Sequence, residues 1–69
     1  MYDEITSQCF HREVLDAATP VLLDFFADWC TPCRMLSAVL ERISEDYAGL
    51  IRICRVNVDR ERALAKRYN

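Results

Sequence analysis

The stretch of sequence that decides the fold is VLLDFFADWCTPC, which spans residues 21–33. Its first part, Val21–Ala27, is apolar except for Asp24, the pattern of a strand that is buried on both faces in a parallel sheet. Cys30 and Cys33 follow, at the point where a new, helical pattern begins. The segment therefore predicts a buried strand that leads into a helix at two cysteines.

Downstream of the cysteines, apolar residues at helical spacing predict an amphipathic helix. They are Leu36, Val39, Leu40, Ile43 and Tyr47. Pro32 suits the first turn of this helix, where its missing N–H removes no hydrogen bond, and Gly49 suits its C-terminal end. We expect the next two segments, Leu50–Val58 and Arg60–Tyr68, to form a strand and a short closing helix.

Upstream, we expect a short strand over Tyr2–Thr6 and then a helix that Thr6 or Ser7 caps and Pro20 ends. One face of that helix would carry Phe10, Val14, Leu15 and Ala18. The complete order, β-α-β-α-β-α, is typical of an α/β sandwich. The sequence therefore predicts one domain over residues 1–69, with a mostly parallel three-stranded sheet flanked by helices.

The amino-acid composition and charge of the chain disfavour several classes of protein. The chain has 69 residues, 9 Lys or Arg and 11 Asp or Glu, and a formal net charge of −2, which disfavours nucleic-acid binding by bulk charge. A hydrophobic content of 52% excludes a disordered chain. No apolar run approaches the roughly 20 residues that cross a bilayer, and the first residues are acidic rather than signal-like. We expect no membrane partner and a cytoplasmic location.

The Cys30–Cys33 spacing favours redox chemistry. The first cysteine falls at a helix N-terminus, where unpaired N–H groups stabilise a thiolate, the species that attacks disulfides. Cys33 lies one turn further on and can close a ring with Cys30. Half of a zinc site is the alternative, but it needs two more ligands, and Cys9, Cys54 and His11 are not paired in the sequence. Beside a βαβ pattern, the redox interpretation is favoured.

Asp24 and Trp29 are the other candidate site residues. Asp24 interrupts an apolar strand, so its carboxyl is expected to be buried and able to exchange a proton near neutral pH. It could also pair with a cation such as Arg55 on the neighbouring strand, and both interpretations can hold together. Trp29 could shield the thiol of Cys30 and offer an apolar contact to a substrate protein, or it could be a core aromatic.

Residues 21–33, together with Asn57–Asp59, resemble the thioredoxin family, and the resemblance covers nearly the whole chain. It implies a truncated thioredoxin-like fold in which Cys30 is the attacking thiol and Cys33 the resolving thiol. Asp24 would be the buried acid that moves the proton of the resolving cysteine. The resemblance also implies that Arg55 stands where the family commonly has a Lys partner for that acid.

The resemblance implies a protein-disulfide reductase that needs no cofactor, because the electrons reside in the dithiol. Its partners would be protein disulfides as substrates and a thioredoxin-reductase-like electron donor. Trp29 matches the tryptophan that precedes the family's cysteines. Thr31 stands where Gly is commoner and is expected to shift the reduction potential, while Pro32 stiffens the turn.

Two further departures from the family are expected to matter. Ala38 stands where the family usually has a Pro in the active-site helix. The chain ends at Tyr68-Asn69, where the family continues with a cis-Pro loop, a β-hairpin and a last helix. The strand Val21–Ala27 would then keep an open apolar edge, which natural proteins avoid. We expect this edge to pair with a second copy of the chain or with a complementing C-terminal fragment.

Two rival functions remain open from the sequence. Two chains that meet near their cysteine pairs could present four thiolates to a metal or an iron–sulfur cluster. A truncated domain could also act without catalysis, as an assembly or interaction module. Bound metal or colour would indicate the first rival, and an unaffected function after Cys30→Ser would indicate the second.

Overall fold

A computed structural model describes residues 3–68 of the chain. The elements follow in the order β1 (Asp3–Glu4), a π-helix (His11–Leu15), β2 (Val21–Phe26), α1 (Thr31–Asp46), β3 (Arg52–Asn57) and α2 (Arg62–Tyr68). This is the expected β-α-β-α-β-α alternation. Tyr2, which the sequence places in the first strand, lies outside the described residues, as do Met1 and Asn69.

The three strands form one parallel sheet in the order β1-β3-β2. In the register of β2 with β3, Leu23 lies opposite Cys54 and Asp24 lies opposite Arg55. The chain crosses the sheet in one direction from β1 to β2 and returns from β2 to β3. Because such crossovers are right-handed, the π-helix and α1 lie on opposite faces of the sheet.

The main core lies on the face that the π-helix and α2 cover. Its buried members are Ile5, Phe10, Cys54, Val56 and Leu64. The ring of Tyr68 on α2 lies 5.7 Å from that of Phe10 and 6.2 Å from that of Phe25, centroid to centroid. Rings at such separations add to the free energy of burial, so α2 is held against both β2 and the segment before the π-helix.

Two expectations for the N-terminal region are wrong. The first strand covers only Asp3–Glu4, and no helix begins at Thr6 or Ser7. Residues 7–9 form a turn instead, followed by the five-residue π-helix, in which the N–H of Asp16 donates to the carbonyl of His11 at 2.9 Å. This wider turn leaves Leu15 51% exposed, so only part of the expected apolar face reaches the core.

The expectation that Val21–Ala27 is buried on both faces is also wrong. Within residues 3–68, β2 is an edge strand, and Leu22 is 45% exposed while its neighbours are half-buried. The central strand β3 is the one buried on both faces, through Ile53, Cys54 and Val56. Strand order decides this difference, because only a strand with a neighbour on each side is enclosed.

The helix α1 ends close to where the sequence predicts. Tyr47 caps it, and Gly49 has a φ of 85°, in the left-handed region that a glycine adopts without strain. Of its expected apolar face, only Leu40 is buried, while Leu36 and Val39 are 47% and 54% exposed.

Candidate active site

The candidate site is built on the N-terminal end of α1. Cys30 is the N-cap residue, with extended backbone, and Cys33 lies in the first turn. Their sulfurs form a disulfide, with the two Cα atoms 5.2 Å apart. The N–H of Cys33 donates to the sulfur of Cys30 at 3.3 Å, so a helix N–H already points at the sulfur that would carry charge after reduction.

The two residues between the cysteines are both exposed. Thr31 and Pro32 are the first residues of α1, and Pro32 occupies a position where a backbone N–H would have no hydrogen-bond partner within the helix. Behind them, the hydroxyl of Ser37 donates to the carbonyl of Cys33 at 2.9 Å. Cys30 and Cys33 are therefore half-buried at the start of α1, and Thr31 and Pro32 between them are exposed.

Trp29 is 73% exposed, so the interpretation as a core aromatic is wrong. Its indole Nε1 donates to Oδ2 of Asp59 at 2.8 Å. The carboxylate comes from the turn that follows β3, so this hydrogen bond links the residue before Cys30 to the neighbouring strand. The bond therefore restrains the exposed indole of the residue that directly precedes Cys30.

Asn57, at the end of β3, holds that turn in place. Its side chain is buried, and its Oδ1 accepts hydrogen bonds from the N–H groups of Asp59, at 2.9 Å, and Arg60, at 3.2 Å. Sequence reasoning did not assign a role to either Asn57 or Asp59. An Asn that follows a strand and precedes a helix signals such a turn, but its link to Trp29 depends on tertiary structure.

Asp24 is buried as expected, with 8% of its surface exposed. Its Oδ2 accepts no hydrogen bond from the described residues. Burial raises the pKa of the carboxyl above its usual 3.8, and the positive charge of Arg55 partly opposes that rise. The arrangement favours an acid that holds its proton to a higher pH than an exposed aspartate does.

Arg55 lies directly opposite Asp24 across the β2–β3 pairing. Its guanidinium carbon is 3.6 Å from the centroid of the Phe26 ring, in a cation–π contact. The expected neighbourhood of Asp24 and Arg55 is therefore present. Phe26 is a further residue of the site that the sequence did not single out, because its ring contact depends on the register.

Comparison with known proteins identifies the family. The family model described as Thioredoxin matches residues 2–69. The chain belongs to the thioredoxin family. Thioredoxin C-2 of Corynebacterium nephridii is 47% identical over 64 residues, which cover 93% of this chain and 59% of that protein. Thioredoxin 1 of Nostoc sp. is 43% identical over 65 residues, 94% of this chain and 61% of that protein.

The fold comparison agrees. A crystal structure of chloroplastic thioredoxin z superimposes with a TM-score of 0.90 and 27% sequence identity, over 97% of this chain and 59% of that one. The three-stranded parallel sheet with its helices is therefore a thioredoxin fold. The chain spans about three-fifths of the length of these thioredoxins.

The remaining cysteines and the histidine lie apart from the site of this thioredoxin-family chain. Cys54 is fully buried in the core, and burial raises the pKa of its thiol. The sulfur of Cys9 accepts from the N–H of Thr6 at 3.4 Å. His11 is exposed and lies 3.4 Å from the carboxylate of Asp16.

No grouping of three His, Cys, Asp or Glu side chains that could hold a metal ion occurs between residues 3 and 68. Among the described residues of one chain, the half-zinc-site interpretation therefore lacks further ligands. In the same part of the chain, no helix is long and apolar enough to cross a membrane.

Proposed function

We propose that the chain is a thioredoxin-like thiol–disulfide oxidoreductase that reduces disulfides in proteins. The observation that carries the proposal is the Cys30–Cys33 disulfide at the N-terminus of α1 in a thioredoxin-family chain. The structure presents the oxidised form.

The reaction begins from the reduced dithiol. The Cys30 thiolate attacks one sulfur of a substrate disulfide, a Cys30–substrate bond forms, and the other substrate sulfur leaves as a thiolate. The Cys33 thiolate then attacks the sulfur of Cys30, which closes the Cys30–Cys33 disulfide and releases the second substrate sulfur. Two electrons pass from the dithiol to the substrate, whose thiolates take up two protons.

Asp24 supplies the proton transfer in this proposal. Cys33 reacts only as a thiolate, so its proton must leave before the mixed disulfide can be resolved. A buried carboxyl with a raised pKa exchanges a proton closer to neutral pH than an exposed aspartate does. Asp24 in its ionised form takes the proton of Cys33, and Arg55 stabilises that ionised form.

The exposed residues around the disulfide form the proposed substrate contact. Trp29 offers an indole plane that its bond to Asp59 holds in place. Thr31 and Pro32 are exposed on the same turn and leave the sulfurs open to an approaching chain. An extended polypeptide that carries a disulfide is the substrate class that fits this surface.

The proposal requires an electron donor and a reducing compartment. A thioredoxin-reductase-like dithiol protein would reduce the Cys30–Cys33 disulfide by the same exchange steps in reverse. The cytoplasm suits this cycle, because its thiol pool keeps such dithiols reduced. The dithiol itself carries the electrons, and the scheme uses no organic cofactor.

A second copy of the chain is the proposed partner of the β2 edge. Among residues 3–68, β2 pairs with β3 alone, so its other side presents unpaired backbone groups beside exposed Leu22. Leu36 and Val39 on α1 are exposed as well. Strand-to-strand pairing about a two-fold axis would satisfy the unpaired backbone groups of β2 and cover Leu22.

The dimer proposal is tested by the mass of the protein in solution. Leu22→Lys places a charge on the edge and is expected to convert a dimer to a monomer. Leu50→Lys, at a position 67% exposed in the turn before β3, is the matched control and is expected to remain dimeric. A wild-type monomer would contradict the proposal, and binding of a complementing C-terminal fragment to that monomer would identify the alternative occupant.

The oxidoreductase proposal is tested by trapping. Cys33→Ser removes the resolving thiol, so the Cys30–substrate disulfide should accumulate and disappear on addition of a reductant. Cys30→Ser and Cys54→Ser are the controls: the first should trap at least tenfold less of the same partners, and the second should behave like wild type. Failure of Cys33→Ser to form a mixed disulfide with any disulfide-bearing protein would contradict the proposal.

A further inference from the structure

Phe26, Asp24 and Arg55 form one cluster on the face of the sheet that α1 covers. Asp24 and Phe26 are two residues apart on β2, so their side chains point to the same face. Arg55 lies opposite Asp24 on β3, and its guanidinium lies against the Phe26 ring, 3.6 Å from the centroid. Phe26 is 5% exposed and Asp24 is 8% exposed, so the ring and the carboxyl are largely shielded from water, while Arg55 is half-buried.

We propose that Phe26 is a positioning residue whose ring holds the Arg55 guanidinium beside Asp24 and so sets the pH at which Asp24 exchanges its proton. The inference rests on the proposed function only in that Asp24 serves the proton transfer of Cys33. Phe26, an apolar residue of β2, thereby takes part in the acid–base chemistry of the site.

The physical reason lies in the flexibility of arginine. An arginine side chain has many rotamers, and a guanidinium at the rim of a sheet face can turn towards solvent. An aromatic face attracts the planar cation and restricts those rotamers, more strongly where water is excluded. While the ring keeps the guanidinium in place, the ionised carboxylate of Asp24 has a fixed positive neighbour.

Among the groups around Asp24, Arg55 is the charged residue that acts on its carboxyl. On β3, Asn57 is neutral, and Arg52 belongs to the opposite face, where it is ion-paired with Asp3 and Glu13. On α1, the Cys30–Cys33 disulfide carries no proton to titrate, and Glu41 is exposed to solvent. Burial raises the pKa of Asp24 and Arg55 lowers it, so displacement of Arg55 should leave the effect of burial unopposed.

The test follows the titration of the Asp24 carboxyl directly, by carbon NMR of the oxidised chain. Phe26→Leu removes the ring and keeps an apolar side chain, and it should move the titration midpoint upward by about half a pH unit or more. Phe26→Tyr keeps the aromatic face and should therefore titrate with the same midpoint as the wild type. Phe25→Leu is the matched control, because the ring of Phe25 faces Tyr68 on the other side of the sheet.

A double substitution separates positioning from general loosening of the fold. Arg55→Met removes the charge, and Phe26→Leu should add no further shift in that background, because the ring then has no cation to hold. Phe26→Met serves in place of Phe26→Leu if the leucine variant does not fold. An unchanged midpoint in the folded ring-deletion variant, or an equal shift in Phe25→Leu, would overturn the inference.

The pH profile of disulfide exchange provides the second readout. In Phe26→Leu, the acidic limb of this profile should move to higher pH, together with the titration midpoint of the Asp24 carboxyl. In Phe25→Leu, the acidic limb should stay at the pH of the wild type. If wild type shows no exchange at any pH while the Asp24 titration shifts as expected, the positioning role of Phe26 stands and the proposed function fails. The NMR titration thus distinguishes the two failures.

Discussion

Trp29 and Asp59 are joined by a hydrogen bond of 2.8 Å that links the residue before Cys30 to the turn after β3. The two residues lie 30 positions apart in the sequence, and the parallel pairing of β2 with β3 brings them together. The carboxyl ends of adjacent parallel strands meet at one edge of a sheet, which is where ligands and substrates bind in open α/β folds. The bond therefore restrains, at this edge, the indole of the residue that directly precedes Cys30.

Asn57→Ala tests how this edge of the site is held. The substitution removes the buried acceptor of two backbone N–H groups and should lower the free energy of unfolding by about 1–2 kcal/mol. Asn57→Ser keeps a shorter acceptor and should lose less. Because Asp59 would be freed, the indole of the single tryptophan should move more freely, and its fluorescence anisotropy should fall. Equal anisotropy in Asn57→Ala and wild type would contradict the link.

Asp24→Asn should stabilise the oxidised protein at neutral pH. With the pKa of Asp24 raised by burial, the folded state binds more protons than the unfolded state, so stability falls as pH rises from 3.8 through the raised value. Above that window, removal of the buried charge should raise the free energy of unfolding by about 1–3 kcal/mol. Urea unfolding at several pH values measures both effects, and a variant no more stable than wild type at pH 7 would contradict the account.

Arg52→Gln should reduce the sensitivity of the fold to acid. Hydrogen bonds from Arg52 and then Arg12 lower the pKa of Glu13 below its usual 4.5, so this contribution to stability is present above 4.5 and lost as pH falls. The variant should therefore differ most from wild type at neutral pH and least in acid. Arg62→Gln on α2 controls for the loss of one charge. A stability difference that does not depend on pH would contradict the role of Glu13.

The two cysteines outside the site should differ in reactivity. In the folded, oxidised chain, an alkylating reagent should modify Cys9, which is half-buried, and spare Cys54, which is fully buried and has a raised pKa. After unfolding in denaturant, both should react at similar rates. Peptide mapping by mass spectrometry reports each site, and modification of Cys54 in the native protein as fast as that of Cys9 would show that the core around β3 opens.

Residues 21–33 carried most of the predictable information. An apolar run followed by two cysteines and a Pro specifies a strand and a helix N-terminus by local chemistry alone, and the position and burial of Asp24 follow from it. The π-helix was not predictable, because apolar spacing near Phe10 does not separate one helical form from another. The partial exposure of β2 depends on strand order, which a single sequence does not encode locally.

The contacts of Asp59 and Phe26 were equally beyond local reasoning. From the sequence alone, Asp59 is predicted only as a turn residue, and its contact with Trp29 depends on the pairing of β3 with β2. Phe26 is predicted only as a core residue, and its contact with Arg55 depends on the register of the same two strands. Both cases follow one rule: residue chemistry indicates which groups can act, while strand pairing decides which of them meet.

Native mass spectrometry of the untreated protein before and after mild reduction, followed by peptide mapping, tests the central claim most directly. The account predicts a metal-free species that gains two hydrogens per chain on reduction, with both new thiols in the peptide that contains Cys30 and Cys33. A mass that does not change on reduction, or a bound metal that holds these two cysteines, would contradict a redox-active pair.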